Sequence, residues 1–100
     1  MRIITLCGSL KFQEQMMEAT QKLSIEGNCV LTPVYPTSHN SKITEKELEQ
    51  LKEVHFKKIE MSDAILVIDV NNYIGKSTSL EIEYANKLGK EIIYYSDLVK

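Results

Sequence analysis

Ala64-Ile65-Leu66-Val67-Ile68-Asp69-Val70 is the stretch on which the reading of this chain turns. Its apolar residues run almost without alternation, so the strand it predicts is covered on both faces. Strands covered in that way belong to parallel sheets flanked by helices. The sequence on either side agrees. Residues 2–7 form a short β-branched and aliphatic run that ends at Gly8-Ser9, a second buried strand. Residues 28–32 make a third, closed by Pro33 and Pro36, and residues 91–95 make the last. Between the strands the period changes. Phe12, Met16, Thr20, Leu23 and Ile25 recur near helical spacing until Gly27 supplies a stop. Thr44-Glu45-Lys46-Glu47 matches a capping box and predicts a helix running to about Met61, with Leu48, Leu51, His55 and Ile59 on its inner face. Residues 78–88 predict a third helix, ended by Gly89. The β-α-β-α-β-α-β order predicts one α/β domain over residues 1–100: a three-layer, Rossmann-like (flavodoxin-like) arrangement around a four-stranded parallel sheet in the order 2-1-3-4.

Composition bounds what such a domain does. Of 100 residues, 43% are hydrophobic and 26% charged, enough for a core and unlike a disordered tail. Twelve basic and 14 acidic side chains give a net charge of −2, which predicts no broad basic face for duplex nucleic acid. The longest aliphatic run, residues 64–68, is far too short to cross a bilayer, so no membrane partner is expected. Met1-Arg2 leads directly into the first strand, without the pattern of a signal peptide. Cys7 and Cys29 are too few for a disulfide scaffold and lack metal-ligand spacing. These features predict a cytoplasmic chain with reduced thiols, no metal and no cofactor.

In open parallel sheets, ligands sit beyond the carboxyl ends of the strands, where the strand order reverses. That directs attention to Gly8-Ser9, to residues 33–42 and to residues 71–78. Gly8 lets the backbone turn closely after the first strand, and the helix start that follows offers free amides, with Lys11 adding a cation. Together they suit a phosphate or a sugar hydroxyl; equally, Ser9 suits an ordinary helix cap. Neither a Walker A motif nor GxGxxG is present, against a nucleotide triphosphatase or a standard dinucleotide site. Gly75-Lys76-Ser77-Thr78-Ser79-Leu80-Glu81 is a hydroxyl-rich loop opening the third helix, with Glu81 placed in its first turn. Glu81 reads either as a carboxylate aimed into the crevice or as the far member of a second capping box, Thr78-x-x-Glu81. Glu83 falls on another helix face and reads as solvated. His55 is either a buried histidine satisfied by a carbonyl or a functional group. His39 reads as a solvated loop residue, and Lys57 and Lys58 as a solvated face. Cys7 is either a reactive thiol or a small packed hydrophobe, and Tyr94 and Tyr95 read as core and subunit-interface residues.

Two ordered motifs go further. Cys7-Gly8-Ser9-x-Lys11, followed by Glu81-x-x-Tyr84-Ala85-x-x-Leu88-Gly89-Lys90, resembles the nucleoside 2-deoxyribosyltransferase superfamily, which includes the 2′-deoxynucleoside 5′-phosphate N-hydrolases. Ser62 to Ile68 resembles that family's third strand, and the likeness spans nearly the whole chain apart from residues 33–43. The resemblance implies cleavage or transfer of the N-glycosidic bond of (deoxy)nucleosides or their 5′-monophosphates, so a small-molecule nucleoside or nucleotide is the implied partner. It implies Glu81 as the nucleophile, Gly8 and Ser9 at sugar and phosphate, and Ser77 and Ser79 near the 5′ group, where Gly75 and Thr78 also lie. Lys11 stands where the family has arginine, which keeps the charge and loses the bidentate fork. Glu83 replaces a family glycine. His55, eight residues before Asp63, stands where the family places an aspartate; a histidine there suits a general acid for the departing base. The alternative left open by that exchange is a non-catalytic nucleotide-binding or sensing module of the same fold. The resemblance also implies a homo-oligomer, a dimer or higher, assembled through the second or third helix.

Overall fold

Each of the four strands is short, and their backbone groups are satisfied sideways: β1 (Ile3–Cys7), β2 (Cys29–Leu31), β3 (Ala64–Val67) and β4 (Glu91–Tyr94) form one all-parallel sheet in the order β2-β1-β3-β4. The computed structural model describes residues 1–37 and 42–99, so His39 lies outside the described residues. The strand order is the one predicted from the sequence. Ile4 pairs with Ala64 and Cys7 with Val67, so the two central strands end level with each other. The sheet is crossed by α1 (Gln13–Ile25), α2 (Glu45–Met61) and α3 (Lys76–Lys87), and a single turn, α4 (Tyr95–Leu98), follows β4.

Alternation along the strands sorts the core into two halves. Ile4, Leu6, Ala64, Leu66 and Ile68 point to one side, where Met16 and Ala19 of α1 cover them. Cys7, Ile65 and Val67 point to the other, against Ile59 of α2 and Ala85 of α3. Every residue of β3 is buried, as its unbroken apolar run requires. Tyr94 packs on the second side and Tyr95 on the first, each half-buried. No helix among the described residues is long and apolar enough to cross a membrane.

Several boundaries differ from those read in the sequence. β3 stops at Val67 rather than Val70, and Val70–Asn72 forms a 3-10 turn in which Asn71 and Asn72 take positive φ, 54° and 63°. Asparagine tolerates that left-handed region better than most residues do. α3 begins at Lys76, two residues earlier than predicted, with Gly75 as its N-cap and no capping side chain. Thr78-x-x-Glu81 is therefore not a capping box, and Glu81 stands in the second turn rather than the first. Ile25 is 79% exposed, because it lies half a turn out of phase with Met16 on α1. α2 behaves as its sequence predicts at its start: Thr44 Oγ1 accepts from the Glu47 amide at 3.1 Å, and Glu47 Oε1 accepts from the Thr44 amide at 3.0 Å. The short α4 is held by Asp69, a buried carboxylate that accepts from the Ser96 amide at 2.8 Å and from its hydroxyl at 2.7 Å.

Candidate active site

The inner stripe of α2 is longer than the sheet it covers. Ile59 packs on the strands, whereas Leu48, Leu51 and His55 reach past them and form one wall of a cleft of about 460 Å³. The opposite wall is the turn after β1, Gly8 to Leu10, and the start of α3 with Gly75, Lys76, Ser77, Thr78 and Glu81. Pro33 and Val34 beyond β2, and Tyr73 before α3, complete its rim. The cleft thus opens at the carboxyl ends of β1 and β3, where the connection from β1 leads outward to β2 and that from β3 leads to β4 on the other side.

Gly8 is favoured there by tight space rather than by torsion. A Cβ at this position would stand 3.1 Å from Ile68 Cβ, 3.2 Å from Ile68 O and 3.2 Å from Met16 Cε. Ser9 caps the 3-10 turn Leu10–Phe12, its hydroxyl accepting from the Lys11 amide at 3.3 Å. At the head of α3 the N-cap is a glycine, so no side-chain oxygen shields the first-turn amides from the cleft. Thr78 and Glu81, three residues apart, share one face of α3; Thr78 is buried and the Glu81 side chain is 18% exposed.

Glu81 meets His55 at the floor of the cleft. His55 Nε2 is 3.6 Å from Glu81 Oε1 and 3.6 Å from Cys7 Sγ, while its Nδ1 is buried and has no hydrogen-bond partner among the described residues. Cys7 closes the cluster from beneath. Burial pushes its thiol pKa well above the usual value, and the Glu81 carboxylate adds to this by its charge and by accepting a hydrogen bond. The thiol is therefore held protonated and a poor nucleophile. The last turns of α2 are pinned to the sheet by Thr5 and Ser62, whose hydroxyls both donate to the Lys58 carbonyl, at 3.1 and 2.7 Å. That anchorage fixes α2 about one turn beyond His55 and holds the ring against Cys7 at the end of β1.

Of the residues singled out in the sequence, Gly8, Ser9, His55, Gly75, Ser77, Thr78 and Glu81 lie together in the cleft. Lys11 and Ser79 do not line it. The Lys11 ammonium stands 3.5 Å from the centroid of the Tyr73 ring, a cation–π contact outside the lining. Ser79 is exposed, turned away from Thr78 by the helical step of one residue. Lys58 is not part of a solvated face: it is half-buried, donates to the Thr32 carbonyl at 2.7 Å and lines the cleft. Lys57 is exposed, paired with Glu60, and Glu83 is exposed as read. Sequence reasoning missed Lys52 and Tyr73 on the cleft, and it missed the meeting of Cys7 with His55 and Glu81. The helical stripe through Leu48, Leu51 and His55 was the available signal for that wall; nothing marked Lys52.

The fold and the cleft define an open, parallel α/β domain with a ligand-sized crevice at the switch in strand order. No protein-family model and no curated protein matches this sequence.

Proposed function

We propose that this chain cleaves or transfers the N-glycosidic bond of (deoxy)nucleosides or their 5′-monophosphates, with Glu81 as the nucleophile. The observation that carries the reading is the position of Glu81: a largely covered carboxylate at the floor of the cleft, 3.6 Å from a histidine nitrogen, and free of any helix-capping duty. In the proposed reaction a Glu81 oxygen attacks C1′ while the C1′–N bond breaks and the base leaves with the bonding electrons. Water or a second base then displaces the carboxylate from C1′, as in retaining glycoside hydrolysis. The reading gives His55 a role other than protonating the base. Its Nε2 lies 3.6 Å from Glu81 Oε1 and its Nδ1 is buried, so His55 orients the carboxylate and acts as a positioning residue. The uncapped amides of α3 and the exposed Lys52 and Lys76 at the cleft support a substrate with a 5′-phosphate.

The test is incubation with a panel of nucleosides and deoxynucleoside monophosphates, followed by chromatography for free base. Release from at least one member supports the reading; intact substrates throughout overturn it. The second reading, a nucleotide-binding or sensing module, is favoured by His55 in place of the resembled family's aspartate. Calorimetry on the same panel distinguishes it: saturable heat without base release is its signature.

A further inference from the structure

We propose that Cys7, His55 and Glu81 form a binding site for a divalent cation of the zinc class, open to the cleft at its fourth position. Each donor comes from a different element: the end of β1, the body of α2 and the second turn of α3. Cys7 Sγ, a ring nitrogen of His55 and a carboxylate oxygen of Glu81 all lie within 4.8 Å of one another. Two separations are shorter, 3.6 Å from Nε2 to the sulfur and 3.6 Å from Nε2 to Oε1. A tetrahedral zinc ion with bonds of about 2.0 to 2.3 Å holds its donors about 3.3 to 3.8 Å apart. The histidine nitrogen therefore already stands at ligand spacing from both partners.

The donor chemistry selects among ions. Sulfur with imidazole suits zinc and its late first-row neighbours, whereas magnesium and calcium take oxygen ligands. Binding releases the thiol proton to solvent, and the resulting thiolate and carboxylate balance the two charges of the ion. Cys7 has no exposed surface while His55 and Glu81 line the cleft, so the ion is backed by sulfur and reached from the cleft side. Its presence ties up a Glu81 oxygen. If Glu81 is the nucleophile proposed above, a zinc-class ion silences base release; the binding itself does not depend on that reading.

Cobalt(II) is the probe, because a charge-transfer absorption reports a cobalt–thiolate bond and strong visible bands report tetrahedral coordination. The reduced full chain is expected to take one cobalt per chain with both signatures, and one equivalent of zinc is expected to bleach them. Cys7→Ser should abolish the thiolate band, and Cys29→Ser should keep it, since Cys29 pairs with Ile3 at the far end of the sheet. Glu81→Gln should weaken cobalt binding by at least the roughly 10- to 100-fold that loss of an outer partner costs a metal site. No thiolate band in the wild type, or a band that survives Cys7→Ser, overturns the proposal. Should Cys7→Ser fail to fold, an unchanged cobalt affinity in Glu81→Gln overturns it instead. Base release in metal-free buffer is scored separately. Cobalt uptake without base release keeps this site and removes the glycosidic reading, and base release without cobalt uptake does the reverse.

Discussion

A carboxylate that performs chemistry and one that supports a helix respond differently to amidation, and Glu81 is placed to show which it is. Its helix is capped by Gly75, so Glu81→Gln removes no cap and leaves the thermal unfolding transition nearly where it was. The amide has no anionic oxygen to attack C1′, and base release is expected to fall by several orders of magnitude. Glu83→Gln, two positions away and exposed, should stay active. Base release by Glu81→Gln at close to the wild-type rate would remove the nucleophile from the mechanism. Gly8 offers a test of packing at the same cleft. Gly8→Ala drives a methyl against Ile68 and Met16, an overpacking expected to cost about 1–3 kcal/mol, read as a lower midpoint in urea. Glu81 and His55 could each be named from the sequence because each sits at a place that local patterns mark. Their meeting with Cys7 could not, since the three donors lie 26 and 48 residues apart along the chain and only strand order and helix packing unite them. The position of Lys11 was hidden for a related reason: its ammonium lies 3.5 Å from the ring centroid of Tyr73, 62 residues away, a contact that no local pattern announces.

Elements are legible where a side chain writes their boundary and obscure where the boundary is written elsewhere. Thr44 and Glu47 announce the start of α2 and make both reciprocal bonds. Thr44→Ala is accordingly expected to cost about 1 kcal/mol in urea unfolding, with no change in the cleft's chemistry. An unchanged midpoint would mean that α2 is held by packing alone. α3 starts without a capping side chain, so the Thr78-x-x-Glu81 pattern drew the predicted start two residues too late. The end of β3 was obscure because a partner sets it. β1 finishes at Cys7, whose carbonyl takes the Ile68 amide at 2.8 Å, and with Gly8 turning away, Asp69 and Val70 have no strand to pair with. Asp69 serves α4 instead. Replacing it by alanine leaves two Ser96 donors without their acceptor, a loss expected at about 1–3 kcal/mol. Faster hydrogen exchange at the Ser96 amide is the direct readout.

At the scale of the whole molecule, the topology was open to reading because four apolar runs alternate with three helical ones, and a short parallel connection leaves few arrangements. Assembly is a separate matter, set by what the fold leaves outside. A domain of 100 residues buries a limited share of its surface, and here α2 leaves Val54 and Met61 exposed, α3 leaves Leu80 exposed, and Leu88 is exposed just beyond its end. Single exposed apolar residues are ordinary. Val54, Met61 and Leu80, however, sit on the two helices that also carry His55 and Glu81, with Leu88 at the end of the second, so an interface there would brace the cleft as well as hide apolar area. We expect at least a dimer formed through α2 or α3. Light scattering at high micromolar concentration should return twice the mass of one chain or more. Met61→Glu and Leu80→Glu each place a charge in the expected interface, and at least one should shift the protein toward single chains while leaving its helical content intact. A single-chain mass for the wild type at that concentration, or assembly untouched in both variants, would mean that these helices face only water.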